Sequence, residues 1–165
     1  LGPLGHGFNL TEDFDLAIMM AGGLGVAPFP FLTRELKRKQ KNIVTLVGAR
    51  TEKQLAIDGL ENVLVATDDG SRGFRGTVVD LVRTKLSQYS ALRSRLFSCG
   101  PTAMLKALQE LISTTDIKCD VSLETPMACG IGICQGCPVE MKGGPEKYRL
   151  ACKAGPVFDI SKIVI

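Results

Sequence analysis

The sequence is poor in several things. Its 165 residues include a single histidine, His6, which excludes any site that needs two imidazoles. It has no strong charge of either sign: 20 basic and 17 acidic residues leave a net +3, which gives no electrostatic footprint for nucleic acid or for an anionic membrane. It has no apolar run approaching the ~20 residues that a membrane-spanning helix needs. Residues 1–10 have neither a basic start nor a long apolar stretch, and so lack the pattern of a signal peptide. The expectation is a soluble, cytoplasmic chain whose partners are proteins and small molecules.

What is present is a regular alternation. The composition, 45% hydrophobic over 165 residues, suffices for one α/β core, and the Gly-rich last third is too small for a second full domain. Leu16 to Ala21 is an apolar run of buried-strand length that stops at Gly22-Gly23. Pro28 then opens an amphipathic helix with Phe29, Leu32 and Leu36 on one side. Further strands are predicted at Ile43–Val47, Val63–Ala66, Arg95–Ser98 and Cys119–Leu123. Between them, Thr51-Glu52-Lys53-Gln54 has the form of a capping box, Val78, Val82 and Leu86 mark a third helix, and Pro101 opens a fourth. Strand and helix alternating in this way predict a doubly wound, five-stranded parallel sheet over residues 11–123. Residues 1–10, with three glycines and a proline, are expected to be a linker. Residues 124–165 change style to glycines, cysteines and a hairpin of Val139–Met141 with Tyr148–Leu150.

The six cysteines carry the clearest chemistry. Four of them follow the spacing Cys129-x4-Cys134-x2-Cys137, then fourteen residues, then Cys152. This is the plant-type ferredoxin spacing for a 2Fe-2S cluster. Such a cluster, with four thiolates, carries about two negative charges, which backbone N–H groups must stabilise because no Lys or Arg lies in the loop. Gly130, Gly132 and Gly136 let those amides approach, and Met127, Ile131 and Ile133 are placed to exclude water. A four-cysteine zinc site is the alternative. It usually takes two close pairs, whereas Cys152 stands alone. A Rieske centre is excluded by the lone His6. Cys119 reads as a small buried hydrophobe, while Cys99 ends a strand where α/β ligands sit.

The turn Gly22-Gly23-Leu24-Gly25-Val26-Ala27-Pro28 follows the first strand and opens a helix, so its amides could receive a pyrophosphate. It does not fit the G-x-G-x-x-G register, and no acidic residue ends the second strand. The loop Thr67-Asp68-Asp69-Gly70-Ser71 at a strand's end has carboxylates and a hydroxyl suited to sugar hydroxyls, or is a solvated surface loop.

These motifs, with Cys99-Gly100-Pro101 and Gly155-Pro156-Val157-Phe158, make the whole chain resemble the electron-transfer subunit of NAD-linked (class 1B) dihydroorotate dehydrogenase, in the ferredoxin–NADP reductase superfamily. The resemblance implies a ferredoxin-reductase-like NAD-binding domain and a C-terminal 2Fe-2S subdomain. It places Gly22, Gly23, Gly25, Val26, Ala27 and Pro28 along the pyridine nucleotide, Cys99, Gly100 and Pro101 near nicotinamide and flavin, and Asp68, Asp69 and Ser71 at the sugars. It implies 2Fe-2S, FAD and NAD(H) as cofactors, and an FMN-containing catalytic subunit as partner, in a heterotetramer. Electrons from dihydroorotate, in pyrimidine biosynthesis, would pass through the cluster and FAD to NAD, with no general base or nucleophile required of this chain. Family members carry an N-terminal FAD-binding β-barrel that ends in a segment like Gly2 to Phe8, so the chain is expected to start where that barrel finishes, and to be inactive alone. The barrel's Arg-x-Tyr/Phe-Ser motif occurs as Arg95-Leu96-Phe97-Ser98, a chance match inside a strand. Subunits of NADH-dependent ferredoxin–NADP oxidoreductases or sulfhydrogenases, and a non-enzymatic redox sensor, remain as alternatives.

Overall fold

A computed structural model describes residues 2–165. The chain runs β1 (Leu16–Gly22), a 3-10 turn (Gly23–Val26), α1 (Phe29–Arg38), β2 (Asn42–Ala49), a 3-10 turn (Glu52–Gln54), β3 (Val63–Thr67), β4 (Phe74–Arg75), α2 (Val78–Ser90), β5 (Ser94–Cys99), α3 (Thr102–Ile112) and β6 (Lys118–Ser122). It continues through β7 (Pro138–Glu140), β8 (Tyr148–Leu150), α4 (Ala151–Ala154) and β9 (Val157–Asp159). The main sheet has the order β4-β3-β2-β1-β5-β6-β9, and β7-β8 is a separate antiparallel hairpin.

β1 is the centre of the sheet because nearly every residue in it is apolar. Its side chains alternate between two cores. Ile18 and Met20 face α2 and α3, packing with Val78, Val82, Leu105 and Leu108. Ala17, Met19 and Ala21 face α1, packing with Phe29, Leu32 and Leu36. Covered on both faces, the strands pair in parallel from β4 through β6, which is the doubly wound architecture.

The sheet has seven strands rather than the five expected. The five predicted strands are all present. The two additional ones, β4 and β9, are two and three residues long, too short to carry a hydrophobic period. β9 is antiparallel to β6, with Phe158 opposite Val121.

One local expectation also fails for an identifiable reason. Thr51 makes no side-chain cap, and a single 3-10 turn follows it; the Glu52 N–H donates instead to Ser71 Oγ at 2.8 Å. The capping box lies at Thr77 and Asp80, where the Asp80 N–H donates to Thr77 Oγ1 at 3.1 Å and Asp80 Oδ2 accepts from the Thr77 hydroxyl at 2.6 Å. Within the segment expected to be a linker, His6 and Phe8 lie against the domain. The His6 N–H donates to Gly155 O, and His6 O accepts from the Val157 N–H. Phe8 packs against Phe97 and Phe29 with ring centroids 5.5 and 6.1 Å away. Among the described residues no helix is long and apolar enough to cross a membrane.

Candidate functional site

Parallel strands end on a common edge, and that edge gathers three of the motifs singled out in the sequence. Ala21 pairs with Cys99 across β1 and β5, so the Gly22–Pro28 turn lies beside Cys99-Gly100-Pro101. The approach is close enough to require glycine. A β-carbon on Gly25 would overlap the Cys99 carbonyl, and one on Gly22 would stand 2.6 Å from Met104 Sδ and 3.1 Å from Pro101 Cδ.

The turn does not run directly into the helix. A 3-10 turn over Gly23–Val26 separates β1 from α1, and the helix starts at Phe29 with Pro28 as its cap and Pro30 in its first turn. Two prolines remove two N–H donors from that helix start, and the Ala27 N–H is already donated to Leu24 O. The last amides of a 3-10 turn bond the turn's own carbonyls, so at this turn the Gly23 and Leu24 amides are the ones left to a ligand. Leu24 stands 90% exposed above it.

Asp68, Asp69 and Ser71 lie on the same edge, beyond β2. Asp69 Oδ1 accepts from both the Ser71 N–H (2.9 Å) and the Ser71 hydroxyl (2.6 Å), and these bonds hold the Asp69 carboxyl below its ordinary value. Ser71 Oγ also accepts from the Glu52 N–H. Asp69 and Ser71 are thus engaged in shaping their own loop. Cys99 is buried at the end of β5, next to Ser122 in register. Burial pushes its thiol up, against a hydrogen bond from Ser122 that lowers it. Neither Ser122 nor Glu124, whose charge also raises the Cys99 thiol, stood out in the sequence.

The four spaced cysteines form two pairs. Cys129 and Cys134 are at the surface: the Cys134 N–H donates to Cys129 Sγ at 3.4 Å, with further amide bonds from Ile131 and Ile133, and together these lower the Cys129 thiol to about 6. The Gly136 N–H donates to Cys134 Sγ at 3.4 Å. Cys137 and Cys152 are buried and belong to the main core with Val139 and Ala151. Their thiols hydrogen-bond to each other, which with burial raises that of Cys152. Among the described residues no three or more His, Cys, Asp or Glu side chains converge as they would on one ion. Two thiols per iron is what a two-iron cluster takes, and amides aimed at sulfur are what its negative charge needs. The donor set fits that group better than it fits a single zinc.

Lys153 was not visible as part of the site. No cation lies inside the loop sequence, yet the Lys153 stem folds back across Gly132.

Comparison with known proteins agrees with this geometry. Residues 124–164 match the family described as the iron–sulfur cluster binding domain of dihydroorotate dehydrogenase B. The chain is 35% identical, over 99% of its length, to the dihydroorotate dehydrogenase B (NAD(+)) electron transfer subunit of Desulforamulus reducens, and 36% identical, over 95%, to that of Caldanaerobacter subterraneus subsp. tengcongensis. It spans 64% and 62% of those two proteins. Among solved structures, that of an NADH-dependent reduced ferredoxin–NADP oxidoreductase superposes with a TM-score of 0.83 at 29% identity, covering 99% of this chain and 59% of that one. Residues 124–164 thus match an iron–sulfur domain of the dihydroorotate dehydrogenase B type, and the chain as a whole is similar to that enzyme's electron transfer subunits.

Proposed function

We propose that this chain is the nucleotide- and cluster-binding part of an electron transfer subunit that passes electrons from dihydroorotate oxidation to NAD. Cys129 and Cys134 hold one iron, and Cys137 and Cys152 the other. When bound, the 2Fe-2S group supplies one-electron transfer, and a flavin must stand between it and the two-electron nicotinamide. This chain's residues do the positioning. The amides of Cys134, Ile131, Ile133 and Gly136 hold the thiolates in their charged form. Met127 and Ile133, both half or more exposed, keep an apolar collar around the loop. The Gly22–Pro28 turn and Cys99–Pro101 form the floor for NAD(H), with Asp68 at the sugars. FAD is held mostly by a preceding domain, to which residues 1–10 lead. Residues 11–123 bind NAD and residues 124–165 bind the cluster, although β9 ties the second unit into the sheet of the first. The catalytic partner is an FMN-containing dihydroorotate dehydrogenase subunit in a heterotetramer, in a reducing cytoplasm that keeps the six free cysteines reduced.

The pairing of the four thiols inside the matched domain carries this reading. Anaerobic purification of the chain, with iron and sulfide analysis of Cys→Ser variants at the four positions, tests it. Equimolar iron and sulfide, lost in each variant, is the expected result; stoichiometric zinc, or a cluster unchanged without Cys152, overturns it. A second reading draws on the 0.83 superposition: the same modules in an NADH-dependent ferredoxin–NADP oxidoreductase. Co-purification separates the two. An FMN protein that oxidises dihydroorotate supports the first, and a second flavoprotein reductase or a hydrogenase rejects it.

A further inference from the structure

Resting on the reading of this edge as the NAD(H) site, we propose that Ser71 is a positioning residue for the dinucleotide: it ties the loop after β3 to the turn after β2, and so presents the Asp68 carboxylate to the ribose of the adenosine half without touching that ribose itself.

A dinucleotide whose pyrophosphate lies at the turn after β1 sends one half over the strands on that side, here β2 and β3. Two loops leave the sheet there, and a row of hydrogen bonds joins them. The Asp68 N–H donates to Ala49 O at 3.1 Å, and the Asp69 N–H to Arg50 O at 3.2 Å. Beyond Arg50 the joining bond comes from a side chain. The Ser71 hydroxyl gives its hydrogen to Asp69 Oδ1 at 2.6 Å, which leaves the oxygen's lone pairs to accept the Glu52 N–H at 2.8 Å. One hydroxyl thus links an acceptor in its own loop to a donor in the other. The base of the β3 loop is closed separately: the buried Thr67 hydroxyl donates to Arg72 O at 2.8 Å and accepts from the Arg72 N–H at 3.0 Å. Asp69 and Ser71 are themselves exposed, so hydrogen bonds rather than packing hold the outer half of the loop. Asp69 spends its carboxylate on Ser71, whereas Asp68 enters this network, among the described residues, through its N–H alone, which leaves its carboxylate to a ligand. A loop ordered before the ligand arrives adds no ordering cost to binding.

The test is fluorescence titration of the full chain with NADH, with iron and sulfide content followed as the control. Ser71→Ala is expected to weaken NADH binding about fivefold, the worth of one ordinary hydrogen bond, at unchanged iron and sulfide. Ser71→Thr, which keeps the hydroxyl, is expected to restore the affinity. Asp69→Ala removes the acceptor that aims that hydroxyl and is expected to match Ser71→Ala, while Asp69→Asn, which keeps Oδ1, stays near wild type. In an Asp68→Ala background, Ser71→Ala is expected to cost nothing further, because Ser71 acts through Asp68. A full fivefold loss in that background overturns the proposal, since Ser71 would then touch the nucleotide directly; so does wild-type affinity in Ser71→Ala or in Asp69→Ala. A wild-type chain that does not bind NADH sinks the underlying reading of the edge, a result distinct from binding that ignores Ser71.

Discussion

Arg95 grips Asp120 across β5 and β6 with two nitrogens, Nε at 3.1 Å and Nη2 at 2.8 and 2.9 Å from the carboxylate oxygens, and both residues are about 95% buried. Glu12 Oε2 accepts from the third nitrogen of the same guanidinium. Asp120→Ala leaves a buried, half-paired cation, and is expected to cost about 3–5 kcal/mol. The double variant Arg95→Met/Asp120→Leu is expected to recover most of that loss. Urea denaturation of the three proteins gives the comparison; a single variant within 1 kcal/mol of wild type (about the worth of one ordinary hydrogen bond) would contradict the role given to the pair.

At Gly25 the constraint is backbone against backbone. Gly25→Ala places a β-carbon on the Cys99 carbonyl, so β1's turn must lift away from β5. The expected cost is about 1–3 kcal/mol of stability, with NAD(H) binding weakened at least about tenfold, the equivalent of 1.4 kcal/mol. Leu24→Ala, on a side chain 90% exposed, is the control that leaves stability unchanged. Thermal melting and fluorescence titration with NADH measure both.

Cys99 and Cys137 are both buried, yet they are assigned different work. Cys137→Ala is expected to abolish the cluster. Cys99→Ala is expected to retain full iron and sulfide, since its neighbours are Ser122 and the nucleotide turn rather than the other thiols. Visible absorption and iron analysis of the two variants distinguish them.

Asp80 and Glu12 are among the carboxylates that make the fold acid-sensitive. The Thr77 hydroxyl, with Arg83, holds Asp80 below the usual carboxylate range, and Lys118 with Arg95 does the same for Glu12. A carboxyl whose folded pKa is depressed stabilises the fold above its unfolded value, and that contribution is lost as pH falls through the folded one. The melting temperature is therefore expected to drop as pH falls from about 4.5 toward 3, and to drop less steeply in Asp80→Asn. Thr77→Ala is expected to cost about 1 kcal/mol at neutral pH.

The legible parts of this fold are those written in long local signals. Leu16–Ala21 announces a buried strand by apolar content alone, and the cysteine spacing announces its chemistry. β4 and β9 are illegible because two or three residues carry no period; partners from elsewhere define them. Thr51-x-x-Gln54 satisfied the capping pattern and Thr77-x-x-Asp80 fell outside its strict form, yet the second one caps, because Ser71 reaches the Glu52 amide from across a loop. Arg95 matched a flavin motif and proves to be sealed against Asp120 instead. Lys153 was invisible as a neighbour of the cluster loop, since it reaches Gly132 through a fold-back that no spacing encodes.

The short strand β9 has one more effect. It lies along the outer row of β6, where an open sheet would otherwise offer unpaired N–H and C=O groups to a second molecule. Because β9 follows Cys152 in the same unit, the guard against edge-to-edge aggregation is lent to the nucleotide domain by its iron–sulfur neighbour.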